Sequence, residues 1–298
     1  MRLVEVMRRL TDDERREIVT FVDDVAAVIG RRPLSDHLWL DLLAGDTDGL
    51  LATRVADTTG TLAYGQISAT NESAALEVVL RPGLDDGTRI RDDVVETAVD
   101  AFRATGGSTL TWWVDGPDDS AAQLAATVGL EPARTLLEMR RPLPNDDHAT
   151  VDTRPFRVGA DEAAWLDVNN RAFAEHAEQG GWSAETLALR LADPSFDPTG
   201  FRLHERDGRL AAFCWTKLHT DVDPVVGEIY IIAVDPDLHG LGLGKQLTLA
   251  GLDSIAARGV TVANLYVDAA NSVAVGMYEQ LGFTVHRTRQ AFTGTFDD

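Results

Sequence analysis

The sequence is poor in three things: cysteine, lysine and long apolar runs. Its one cysteine, Cys214, excludes an intrachain disulfide and fits a reducing cytoplasm. No uninterrupted apolar stretch reaches membrane-spanning length, so no membrane segment is expected. The N-terminus, MRLVEVMRRLTDDERREIV, has no apolar core or small-residue cleavage site, and is not read as a signal peptide. Lys217 and Lys245 are the only lysines, and with 48 Asp and Glu against 27 Lys and Arg the formal net charge is −21. Such a surface repels a phosphate backbone, which argues against a nucleic-acid partner, and attracts a small cationic substrate. The histidines have no metal-like spacing, and no metal is expected.

What is present is enough for two cores: 298 residues with 44% hydrophobic content. The chain also repeats itself. The C-terminal half reads GRLAAFCWTK, GEIYIIAVDPDLHG, a helical stretch, then VANLYVDAANSVAVGMYEQLGF; the N-terminal half reads GTLAYGQIS, ALEVVLRPGLDDG, a helical stretch, then LTWWVDGPDDSAAQLAATVGLEP. Aligning Pro82 with Pro236 brings Gly129 nearly level with Gly282, and Gly60 close to Gly208. Each half predicts strand, hairpin turn, strand, strand, helix, strand, helix. That is an α/β (α+β type) fold twice over, each copy a mixed twisted sheet flanked by helices. The predicted domains are 1–140 and 153–298, joined by a polar, Pro-rich linker at 141–152.

The densest chemistry lies in Val234-Asp235-Pro236-Asp237-Leu238-His239-Gly240-Leu241-Gly242-Leu243-Gly244-Lys245. A strand ends, a proline turn follows, and alternating glycines open a helix, so backbone N–H groups can converge on a phosphate. A Walker A loop is excluded by His239 and by Gln246 after the lysine, and the glycine spacing is not that of a dinucleotide fingerprint. Standing alone, such a turn is as often purely structural.

The segment resembles the pyrophosphate loop of the GCN5-related N-acetyltransferases (GNAT), Q/R-x-x-G-x-G/A, with Gly242 and Gly244 in place and His239 where Gln or Arg is usual. Downstream, Asn271, Ala274, Tyr278, Gly282 and Phe283 match that family's second signature, N-x-x-A-x-x-x-Y-x-x-x-G-F. The resemblance is closest to a tandem branch of the family and covers essentially the whole chain, most densely NNRAF, EQGGW, WTKLH and LYVDAANSVAVGMY. It implies acetyl-CoA as co-substrate and the cysteinyl amine of cysteinyl-glucosaminyl-inositol as acceptor.

The same resemblance assigns roles. Glu228 is the general base and Tyr278 the acid for the CoA thiolate. Ile232, Ala233 and Val234 bind the thioester and pantetheine by backbone contacts. His239, Gly240, Leu241, Gly242, Leu243, Gly244 and Lys245 take the pyrophosphate. Asn271, Ser272, Val273, Ala274, Val275 and Gly276 flank the pantetheine arm. Asp36, Glu178, Lys217 and Tyr266, with Glu228, hold the acceptor. Taken singly, a strand-end glutamate or a loop acid is more often just solvated, and Trp182 and Cys214 read as core. The N-terminal copy has Ala74 for Glu228, Ala125 for Tyr278, Thr88 for Gly242 and Ile90 for Gly244. It is expected to be structural, with Val78, Val79 and Leu80 as at most a weak second acetyl-CoA site. The residues alone leave open an acetyltransferase for an aminoglycoside, polyamine or protein N-terminus, or a non-catalytic acyl-CoA-binding regulator.

Overall fold

The computed structural model describes all residues except 1, 45–49, 70–72, 175–178, 194–195, 221–223 and 297–298. It divides into two compact units: Met1–Leu136 with Asp268–Ala270 and Arg287–Asp298, and Leu137–Val267 with Asn271–His286. The division therefore falls at Leu136/Leu137 instead of after Arg140, and the end of the chain belongs to the first unit. No helix among the described residues is long and apolar enough to cross a membrane.

The first unit runs β1 (Leu3–Met7), α1 (Asp12–Ile29), α2 (Asp36–Ala44), β2 (Leu51–Asp57), β3 (Gly60–Ala69), β4 (Ala74–Leu80), α3 (Gly87–Arg103), β5 (Thr109–Asp115) and α4 (Asp119–Thr127). The second contains β7 (Arg154–Pro155), α5 (Glu162–Ala172), α6 (Ala184–Leu191), β8 (Phe201–Arg206), β9 (Arg209–His219), β10 (Val226–Val234), α7 (Leu243–Ala256), β11 (Val262–Asp268) and α8 (Ser272–Gln280). Two final strands, β6 (Glu131–Pro142) and β12 (Thr284–Thr295), complete the repeat. Both have twelve residues with one burial pattern, residue for residue. The sequence repeat stopped at the helix and missed them. Their alternation is interrupted by arginines and threonines, so the period-two signal is weak.

Strand order is β1-β2-β3-β4-β5 in the first unit, with the end of β12 beside β5, and β6-β11-β10-β9-β8-β7 in the second. Each set contains a parallel pairing, β4 with β5 and β10 with β11. The expected hairpins are there: Gly60 joins β2 to β3, and Asp207-Gly208, both at positive φ, joins β8 to β9.

Close packing of α7 on the second sheet depends on two glycines. A Cβ at Gly251 would come within 2.5 Å of Cys214 Sγ, and one at Gly227 within 2.2 Å of Ile255 Cγ2. A glycine inside a helix costs about 1 kcal/mol against alanine. Overpacking at such a contact costs about 1–3 kcal/mol, so close approach wins. Leu243, Leu247, Ala250 and Ile255 face the core, and Leu249 and Leu252 are buried too. The helix is covered on more than one face. Cys214 is fully buried, burial pushes its thiol up to about 12, and it is core. So is Trp182, edge-on to Trp165 at 5.5 Å.

Candidate active site

The site grows out of a break in the β10–β11 ladder. Parallel pairing runs from Val226↔Val262 to Ile229↔Leu265 and stops. A bulge interrupts β10 between Ile229 and Ile231, and Ile231–Val234 then pair only with β9 among the described residues. The two strands splay, leaving one edge of Ile232, Ala233 and Val234 without a strand partner. An extended ligand can use such an edge as an added strand would.

The bulge also sorts side chains between the faces of the sheet. Ile229 and Leu265 point into the core beneath α7 and α8, whereas Ile231 joins the aromatic cluster beneath α5 and α6. Glu228 faces that second side, opposite Lys217 on β9 and Asn264 on β11. It is 8% exposed, and its Oε2 lies 2.5 Å from His219 Nε2. Lys217 and His219 are two apart on one strand and so share a face, and the Lys217 ammonium lies 5.8 Å from the Tyr230 ring centroid. Tyr266, two beyond Asn264, is on this face and exposed. Tyr278 lies on the opposite face, in the α7–α8 core with Ile229 and Leu265, its ring edge-on to Phe283 at 5.8 Å. Burial pushes its phenol above the ordinary value. A group lying in the splay is therefore flanked by a carboxylate face and a phenol face.

Beyond Val234 the chain turns through Pro236–Leu238, where the Asp235 carboxylate accepts from Asp237 N–H at 3.0 Å. Gly240 and Gly242 both have positive φ, which few other residues adopt without strain. Gly242 is the N-cap of α7, and no side chain caps that first turn, so its N–H groups and the helix dipole are available to an anion. His239, Leu241 and Lys245 are exposed around this loop, and Gly244 is half-buried beside Met277. In α8, Asn271 Oδ1 accepts from Ala274 N–H at 3.1 Å, so the first residue of the second signature is the helix N-cap. Ser272 and Val273 are exposed, and Ala274, Val275 and Gly276 half-buried.

Sequence reasoning missed the loop's anchor. Arg171 on α5 makes a bidentate pair with Asp235, at 2.9 and 2.8 Å, and Asp235 is 1% exposed. This bond holds the Asp235 carboxyl below the usual carboxylate range. Arg171→Ala is expected to cost about 1–3 kcal/mol, because it strands a buried carboxylate, and to weaken acyl-CoA binding through the loosened loop. A lowered folded-state pKa stabilises above the unfolded carboxylate pKa, and the effect is lost as pH falls through the folded value. Thermal melts should thus show a gap between wild type and variant at pH 7 that closes in acid. A gap independent of pH would contradict this role.

His219 and Asn264 were also missed: the WTKLH spacing could have indicated the first, while the second depends on cross-strand register. The bulge corrects one alignment. With Asp115 and Asp268 set level at the ends of β5 and β11, Thr111 matches Asn264, and their parallel partners Ala75 and Glu228 match in turn, so Ala75 and not Ala74 replaces the glutamate. Asp36 opens α2 in the first unit, 3.8 Å from Arg32. Glu178 lies outside the described residues.

The first unit repeats the splay without the bulge: β4–β5 pairing ends at Glu77↔Trp113, leaving Val78, Val79 and Leu80 paired only with β3. They line a cleft of about 260 Å³. Glu77, another lining residue, is buried and accepts from Ser35 N–H and Arg289, each at 2.7 Å.

Two units of this topology, one with an intact glycine loop at a splayed parallel pair, define a tandem acetyltransferase of the GNAT class. The acetyltransferase (GNAT) family pattern matches residues 163–283. The chain is 41% identical, over 92% of both sequences, to a mycothiol acetyltransferase from Thermomonospora curvata. It is 38% identical to that of Thermobispora bispora, over 94% of this chain and 96% of the relative. Among solved structures, a GCN5-related N-acetyltransferase from Sphaerobacter thermophilus superposes with a TM-score of 0.75 at 18% identity, covering 98% of this chain and 95% of that one. A tandem GNAT protein from the clavulanic acid biosynthesis pathway gives 0.68 at 17% identity, covering 99% and 100%. These structures share the fold. The chain belongs to the mycothiol acetyltransferase family.

Proposed function

We propose that the protein transfers the acetyl group of acetyl-CoA to the cysteinyl amine of cysteinyl-glucosaminyl-inositol, giving mycothiol. The observation that carries this is the splay beyond Ile229 with Glu228 on its last paired rungs, in a chain 41% identical to a mycothiol acetyltransferase. The overall change is R–NH₃⁺ plus acetyl–S–CoA to R–NH–acetyl plus HS–CoA plus H⁺. Glu228 takes a proton from the bound ammonium, freeing the lone pair to attack the thioester carbon. The backbone of Ile232, Ala233 and Val234 aligns the thioester and stabilises the oxyanion. The C–S bond breaks, and Tyr278 protonates the departing thiolate. Burial makes that phenol a weaker acid than a free one, so it stays protonated and ready to donate at neutral pH.

His239, Gly240, Leu241, Gly242, Leu243, Gly244 and Lys245 hold the pyrophosphate, and Asn271–Gly276 flank the pantetheine. Glu178, Lys217 and Tyr266 are the acceptor's other contacts. The single cysteine and absent long apolar runs suit a cytoplasmic enzyme. The test is mass spectrometry of the product: one added acetyl, with the thiol still reactive toward iodoacetamide. An S-acetyl product or no product would refute the assignment.

The Val78–Leu80 cleft binds acetyl-CoA weakly at most, because Asp85 and Asp86 stand where a pyrophosphate would lie. Asp86 is ion-paired with Arg2. Changing Asp85 and Asp86 to alanine is expected to leave kcat within about twofold, since exposed pairs contribute little. A hundredfold fall in steady-state assays, with the fold intact, would mean that this loop takes part in turnover.

A further inference from the structure

Asn264 is the least expected residue on the Glu228 face. It is 4% exposed, and its Oδ1 finds no hydrogen-bond partner among the described residues. Burying a polar group this way costs about 1–3 kcal/mol, and nearly all such groups in folded proteins are paired. A strand position flanked by Ala263 and Leu265, both in the α7–α8 core, could carry an apolar residue at no such cost. The amide sits on the rung directly beside Glu228, one residue before the pairing ends at Leu265.

We infer that Asn264 is a substrate-binding residue whose side-chain oxygen accepts an N–H of the incoming amine while Glu228 takes its proton. The inference rests on the proposal that the amine docks at Glu228. An ammonium carries three N–H donors, one of which is given up to the base. A second acceptor fixes the nitrogen against rotation, so that the freed lone pair is aimed across the splay. The neighbours on this face divide the work. His219 reaches Glu228 from β9, Lys217 stands opposite it in the β9–β10 register, and a cation or a ring N–H serves a carboxylate. Tyr230 lies under the Lys217 ammonium. The neutral oxygen of Asn264 is suited to a donor, so the ligand class it selects is a primary amine or ammonium over a secondary amine or a hydroxyl.

The test is Asn264→Leu, close in shape and without the amide, assayed beside Glu228→Gln in the full-length protein. The variant should melt at or above the wild-type temperature, because the lost buried oxygen had no partner among the described residues. Acetyl-CoA affinity by calorimetry should not change, while kcat/KM for the cysteinyl amine falls about 10–100-fold, the size of one hydrogen bond to a charged group. Gain of stability with loss of activity is a combination that a structural asparagine does not give. A lower melting temperature, or wild-type kinetics in Asn264→Leu while Glu228→Gln is crippled, would overturn the inference and leave Glu228 as base. Unaltered kinetics in Glu228→Gln would instead remove the docking proposal beneath it. If Asn264→Leu unfolds, Asn264→Ser repeats the comparison with a smaller side chain.

Discussion

Glu228→Gln is expected to lower kcat by about 10²–10⁴-fold, the usual contribution of a general base, with acetyl-CoA binding unchanged. Glutamine keeps the shape and can still bond His219, so the strand and the splay should survive. What is lost is a group able to take a proton at a rung that is 8% exposed, where water cannot readily substitute. Raising pH should restore part of the rate by supplying free amine. A wild-type profile with unchanged kcat would take Glu228 out of the mechanism.

Gly244→Glu should abolish acetyl-CoA binding without harming the fold. A Cβ at Gly244 meets only Met277 Sδ at 3.6 Å and Val234 Cγ2 at 4.0 Å, ordinary contacts, and the glycine is not at positive φ. The new carboxylate would stand in the first turn of α7, where the helix dipole favours it by about 0.3–1 kcal/mol. The melting temperature should hold or rise. The same charge occupies the place proposed for the pyrophosphate, so calorimetric affinity should fall at least 100-fold, about 2.7 kcal/mol. Gly244→Ala, with the bulk and without the charge, should lose far less. Undiminished affinity in Gly244→Glu would mean that the phosphates bind elsewhere.

The parts of this molecule that were legible in the sequence are those written in local patterns. The loop from Asp235 to Lys245, the Asn271 cap and the repeated hairpins depend on residues a few positions apart, and glycine, proline and N-cap chemistry mark them. What was not legible depends on register. A bulge at Tyr230 shifts every later side chain of β10 by one position, changing the face that Ile231 presents and the residue equivalent to Glu228 in the other copy. His219 reaches Glu228 only because β9 pairs with β10 in one register, and Asn264 stands beside it only because β11 pairs in another. Arg171 and Asp235 are far apart in sequence, and no periodicity announces their ion pair. The return of the chain's end to the first unit leaves no local signal either.

The most direct test of the proposed activity is CoA release from acetyl-CoA, followed by chromatography because the acceptor carries its own thiol. With cysteinyl-glucosaminyl-inositol the release should depend on acceptor, yield one CoA per acceptor consumed and outpace release with an aminoglycoside, a polyamine or a peptide N-terminus at equal concentration. Acetyl-CoA that binds but is not cleaved with this acceptor, or is cleaved faster with one of the other amines, would contradict the assignment.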